Sequence, residues 1–148
     1  MNNTISIHDW HQMALKGDVA PARILLNGNS MFPLVRKNRD YVKIFPIDSG
    51  LQIGDIVLFH DYKSERFVVH RIWNIKEDMV LTWGDNCSYP DAWISKDSVW
   101  GKVKLVERGR RKIVPEPKKG LCWAKFWHRA GKVYRYLGRC WHKIVDRK

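Results

Sequence analysis

The sequence predicts a mainly β domain of short antiparallel strands, preceded by a short helix and followed by a long amphipathic one. Three observations carry this expectation. Apolar runs of four to six residues, rich in Val, Ile, Phe and Trp, alternate with turn residues between positions 22 and 106. Residues 5–16 and the segment after Leu121 instead space their apolar side chains with the helical period. The 148 residues suffice for one domain with a short appendage, and 45% hydrophobic with 28% charged content excludes wholesale disorder.

In residues 5–16, Ile5, Trp10, Met13 and Ala14 share one face before Gly17, which reads as a helix and its stop within an N-terminal segment 1–20. Strands follow at Ala22–Leu26 before Asn27-Gly28, at Tyr41–Phe45 before Pro46, at Ile56–Phe59 and at Phe67–Ile72. Two more lie at Met79–Trp83 before Gly84-Asp85 and at Val99–Val106. Such spacing suggests a barrel or folded sheet over residues 21–114. Glu107–Gly120, broken by Pro115 and Pro117, reads as a strand end running into a linker, so 115–148 forms a linker and tail.

The tail carries the charge. Residues 1–106 hold 13 basic and 12 acidic side chains, whereas 107–148 hold 14 basic and 3 acidic ones. On a helical projection Trp123, Phe126, Trp127, Val133, Tyr134, Leu137, Trp141, Ile144 and Val145 fall within a stripe of about 120°. Lys125, Arg129, Lys132, Arg135, Arg139, Lys143 and Arg147 fall opposite. Two readings fit: a helix packing its stripe on the β body, or one lying in a membrane surface with its aromatic residues at the headgroup level. Nucleic acid is not the expected partner, because strand binding wants aromatic and basic residues interleaved on one face.

No run is long or apolar enough for a signal peptide or a spanning helix, so the expected location is peripheral, on the cytoplasmic face of a membrane. Cys87, Cys122 and Cys140 form neither a disulfide framework nor a zinc set. Cys87 reads as a packed small residue with no flanking cation. Cys122 and Cys140 share one edge of the tail. His8 and His11 could face together on the first helix but lack a further ligand, so neither a metal nor another cofactor is implied.

Three segments carry chemistry. Asn27-Gly28-Asn29-Ser30-Met31-Phe32-Pro33 ends a strand in a turn that can present a hydroxyl. In Arg66-Phe67-Val68-Val69-His70-Arg71-Ile72 a histidine follows two valines, and Trp83-Gly84-Asp85-Asn86-Cys87-Ser88-Tyr89-Pro90-Asp91 is a carboxylate-bearing loop after a strand. Together they supply a nucleophile, a base and an acid. A serine hydroxyl needs a base to take its proton, imidazole suits that task near neutral pH, and a carboxylate fixes its tautomer.

The series Gly28-x-Ser30-Met31-x-Pro33, Gly54-Asp55-Ile56-Val57-Leu58-Phe59, Val69-His70-Arg71-Ile72, Gly84-Asp85-Asn86 with Asp91, and Gly101-Lys102-Val103 resembles the type I signal peptidase family. The likeness spans roughly residues 21–106 and points to the branch with a histidine base, found in the endoplasmic reticulum and archaea. The self-cleaving SOS repressors share the superfamily. The resemblance implies an antiparallel β peptidase fold, with Ser30 as nucleophile, His70 as base and Asp91 as orienting acid, and Asp85 supporting the site or sharing that role. It also implies an extended peptide or preprotein substrate with small side chains at the first and third positions before the cut.

Three departures stand out. Gly28 replaces a serine that often helps the oxyanion hole, leaving the Ser30 N–H with Asn29 as a second donor. Asn38-Arg39-Asp40 replaces a glycine-aspartate turn, and the membrane anchor is missing. The expected function is therefore a serine endopeptidase that cleaves a leader or signal-like peptide, docked on a membrane by Trp123, Phe126, Trp127, Tyr134, Leu137 and Trp141. The alternative is a catalytically silent peptidase-fold binding module whose tail holds a membrane or an acidic partner.

Overall fold

The computed structural model describes residues 6–17 and 19–130. Helix α1 (Ile7–Leu15) starts at the Ser6 cap, whose hydroxyl oxygen accepts the Asp9 N–H, and buries Trp10. Eight strands follow: β1 (Ala22–Leu25), β2 (Tyr41–Phe45), β3 (Ile56–Asp61), β4 (Arg66–Lys76), β5 (Met79–Trp83), β6 (Trp93–Ser95), β7 (Val99–Arg108) and β8 (Arg111–Ile113). Residues 117–130 then form helix α2, up to the limit of the described chain.

All strands pair antiparallel in the order β1-β2-β7-β3-β4-β5-β6, with β8 on β7. The six expected strands are present. Trp93–Ser95 and Arg111–Ile113 are additional; at three residues each they are too short to show an apolar run. The second turns the expected linker into a hairpin, with Gly109 at φ 57° where a side chain would be strained.

Strand β3 explains where the core sits. Its first five residues are all buried because the sheet is covered on both faces. Ile56 and Leu58 join Trp10, Met31, Val42, Ile44, Val69 and Trp100 in one cluster, whereas Val57 and Phe59 join Ile72, Val80 and Val99 in another. The two-residue period passes to β4 through the pairs Ile56 with Arg71, Val57 with His70 and Leu58 with Val69. His70 and Arg71 therefore face opposite ways.

Helix α2 begins earlier than expected and touches the body through small residues. A side chain at Gly54 would strike the Pro117 carbonyl oxygen, and one at Gly120 would stand 3.1 Å from the Arg71 guanidinium carbon. Ala124 and His128 are buried and Trp127 half-buried, while Trp123 and Phe126 remain 53% and 66% exposed. His128 packs between Trp73 and Trp83, with ring centroids 5.2 and 4.2 Å away. The docked face of these turns is thus Gly120, Ala124, Trp127 and His128, a stripe that large apolar residues alone do not reveal. Tyr134, Leu137 and Trp141 lie outside the described residues. No described helix is long and apolar enough to cross a membrane.

Candidate active site

Ser30 sits in the turn that leaves β1. Phe32 N–H donates to the Asn29 carbonyl at 3.2 Å, Val35 N–H donates to Met31 at 2.9 Å, and Met31 and Val35 plug the turn into the first core cluster. Arg108 on β7 binds the following backbone, donating to the Leu34 carbonyl at 2.9 Å and to the Asp40 carboxylate at 2.8 Å. Asp40 is wholly buried. Burial pushes its pKa upward, but the bonds from Arg108 and the Arg36 N–H outweigh that and leave it below the ordinary value. Asn38 has φ 53°, in the left-handed region that asparagine tolerates better than most residues.

His70 Nδ1 donates to Asp91 Oδ2 at 2.6 Å, and the Thr82 hydroxyl donates to the same oxygen at 2.8 Å. The Asp91 N–H donates to the Thr82 carbonyl at 2.9 Å and fixes the end of the loop against β5. A carboxylate partner at Nδ1 leaves Nε2 as the basic nitrogen of the neutral ring. Burial favours the neutral ring, yet the bond to Asp91 and then the contact with Cys87 prevail, raising the pKa from 6.5 to about 9.

Gly84 is the meeting point. A Cβ there would stand 2.7 Å from Cys87 Sγ, 2.9 Å from His70 Nε2 and 2.9 Å from the Ser30 carbonyl oxygen. The next turn clips the Ser30 segment in place: Asn86 N–H donates to that oxygen at 2.7 Å, and Asn86 Nδ2 donates to the Asn29 carbonyl at 3.2 Å. Trp127 Nε1 donates to Asn86 Oδ1 at 3.5 Å, and Trp127 lies 6.0 Å from Phe32, ring to ring. The same loop thus meets Ser30, His70 and α2.

Among the described residues, neither Ser30 Oγ nor the Ser30 N–H makes a hydrogen bond. Asn29 brings its carbonyl to the loop, and its exposed side chain holds no bond among the described residues. Asp85 does not touch His70. Both its oxygens accept from buried Arg71, at 2.9 and 2.8 Å, and Arg71 also donates to the Gly54 carbonyl at 3.0 Å. It ties β4 to the loop and has no bond to the imidazole.

Cys87 corrects the sequence reading. It stands beside His70 rather than among inert packing neighbours, because the turn from Gly84 brings its sulfur back over the strand end. Thr82 and Asn86 were also missed. Thr82 is a polar residue on the buried face of β5, and that alternation was its only signal. His8 and His11 pack on Trp100 at 4.9 and 4.1 Å, and no described group of three side chains could hold a metal ion.

No known family model matches this chain, and no curated protein matches it. The site itself is a His–Asp pair with a serine turn on one side and a thiol on the other.

Proposed function

We propose that the protein is a serine endopeptidase that cleaves a leader or signal-like peptide after small residues at a membrane surface. The observation that carries this is the 2.6 Å bond between His70 and Asp91, with Nε2 turned toward the loop that grips Ser30. Neutral His70 takes the Ser30 proton at Nε2 as Oγ attacks the scissile carbonyl, and Asp91 steadies the imidazolium that forms. The Ser30 N–H holds the developing oxyanion. His70 then protonates the leaving amine, and water repeats the cycle on the acyl-enzyme. An apo enzyme need not show the serine–histidine bond, which tightens when substrate excludes water.

Membrane docking falls to α2 and the tail beyond it. Trp123 and Phe126 project from α2 rather than joining the body, and Lys125 and Arg129 beside them are exposed. Vesicles rich in anionic lipid should sediment the full chain, and Trp123→Ser with Phe126→Ser should weaken that binding. Equal binding by both proteins would refute the docking role.

The rival reading is a silent peptidase-fold module, and one observation favours it: Cys87, not Ser30, contacts the base in this conformation. Peptide cleavage by wild type and its loss in Ser30→Ala decides between the two.

A further inference from the structure

Three places that the peptidase reading does not use carry reactive or titratable side chains: Cys87 beside His70, the histidines around Trp100, and Arg71 beneath α2. The last two are consumed by ring packing and ion pairing. Cys87 is different. Its sulfur converges on His70 Nε2 above Gly84, and Asp91 on Nδ1 completes a Cys–His–Asp arrangement. The loop is held in that pose, since Cys87 N–H donates to the Gly84 carbonyl at 3.0 Å and Trp83 Nε1 donates to the Cys87 carbonyl at 3.1 Å. The residue is half-buried.

We propose that Cys87 is a nucleophilic thiol served by His70 and Asp91, a modification site for hydroperoxides whose oxidation withholds the base from Ser30. At neutral pH His70 is protonated, so its Nε2–H pairs with the Cys87 thiolate left when the thiol proton goes to solvent, and the sulfur attacks the nearer peroxide oxygen. An S–O bond forms as the O–O bond breaks, and the departing hydroxide takes the proton from His70 and leaves as water. Sulfur gives up two electrons to the peroxide and becomes a sulfenic acid. An added dithiol reverses the change, since its two thiols close to a disulfide as the sulfenic oxygen departs as water.

Only the effect on Ser30 rests on the peptidase reading; the reactivity of Cys87 does not. Cys122, exposed on α2, is an internal reference in the same molecule. The full chain is treated with hydrogen peroxide at neutral pH, sulfenic acid is trapped with dimedone, and the adducts are mapped by mass spectrometry. Cys87 should be trapped about tenfold faster than Cys122 despite its lower exposure, and His70→Asn should remove that advantage, as should Asp91→Asn if the first variant folds poorly. Trapping of Cys87 no faster than Cys122 in wild type overturns the proposal, whatever the variants do. Peroxide should also slow peptide cleavage by wild type and leave Cys87→Ala at its own untreated rate. Fast trapping in a wild type that cleaves nothing before treatment would sustain the thiol site and refute the peptidase reading.

Discussion

His70 and Arg71 are neighbours on one strand, and each meets a carboxylate from the same loop. The outcomes differ because the strand period sends them to opposite faces. Arg71 and Asp85 are buried under α2, with side chains 2% and 6% exposed, and both Asp85 oxygens accept from Arg71. His70 keeps one nitrogen for Asp91 and turns the other toward a glycine notch shared with Cys87 and Ser30. Two carboxylates six residues apart thus hold different partners: one pairs with an arginine, the other bonds an imidazole. An acidic residue near a histidine in sequence is therefore weak evidence of partnership until the face is known.

This contrast can be broken from either side. The largest effect belongs to His70→Ala, which should lower kcat by about 10⁴-fold, with Asp91→Asn costing about 10³-fold by misplacing the proton on the ring. Thermal unfolding above pH 9, where the protonated ring no longer adds stability, should shift little in Asp91→Asn. If Asp91→Asn left kcat intact, the pair would be merely structural.

Asp85→Asn should do the reverse. Stripping the charge from one end of a buried ion pair costs roughly 3–5 kcal/mol, or a fall of about 10 °C in Tm for a chain of this size. Activity per folded molecule should change far less than in Asp91→Asn. Calorimetry with activity at low temperature separates these effects, and a large loss of kcat without unfolding would return Asp85 to the catalytic group.

pH sharpens the contrast further. With its pKa raised to about 9, His70 is protonated at neutral pH, so kcat/KM should climb about tenfold per pH unit from pH 6 to 8 and level off near 9. Stability runs the other way. The protonated ring's contribution, about 3 kcal/mol, is fully present below the unfolded pKa of 6.5 and is lost as pH rises through about 9. A rate profile levelling near pH 6.5 would show that Asp91 and Cys87 do not hold the proton.

The smallest effect is expected at Gly28. A Cβ there stands 3.9 Å from Ser30 Oγ, with no closer neighbour, so Gly28→Ser fits and brings a second hydroxyl toward the oxyanion. A rise of a few-fold in kcat would support the serine as nucleophile; a fall of tenfold or more would mean the turn binds something else.

How much of this was legible beforehand follows from where each signal resides. Strand periodicity revealed β1–β5 and β7, because each turns apolar residues toward the core, and it placed Ser30, His70 and Asp91 on separate elements that the fold draws together. It could not rank Asp91 above Asp85 on residue type, since that choice depends on how the loop bends after β5. Nor could it find Cys87, whose partner lies across the sheet. The left-handed φ of Asn38 had no glycine to announce it, and β6 and β8 were too short to register. On α2 the large apolar side chains misled: Gly120 and Ala124 make the close approach, leaving Trp123 and Phe126 outside.

The central claim is that Ser30 is the nucleophile served by His70. Purified wild type and Ser30→Ala, incubated with a peptide library in detergent micelles at pH 9 and read by mass spectrometry, test it most directly. The account predicts cleavage after small residues by wild type and at least a thousandfold slower cleavage by Ser30→Ala. Equal cleavage by both proteins, or none by a folded wild type, would contradict it.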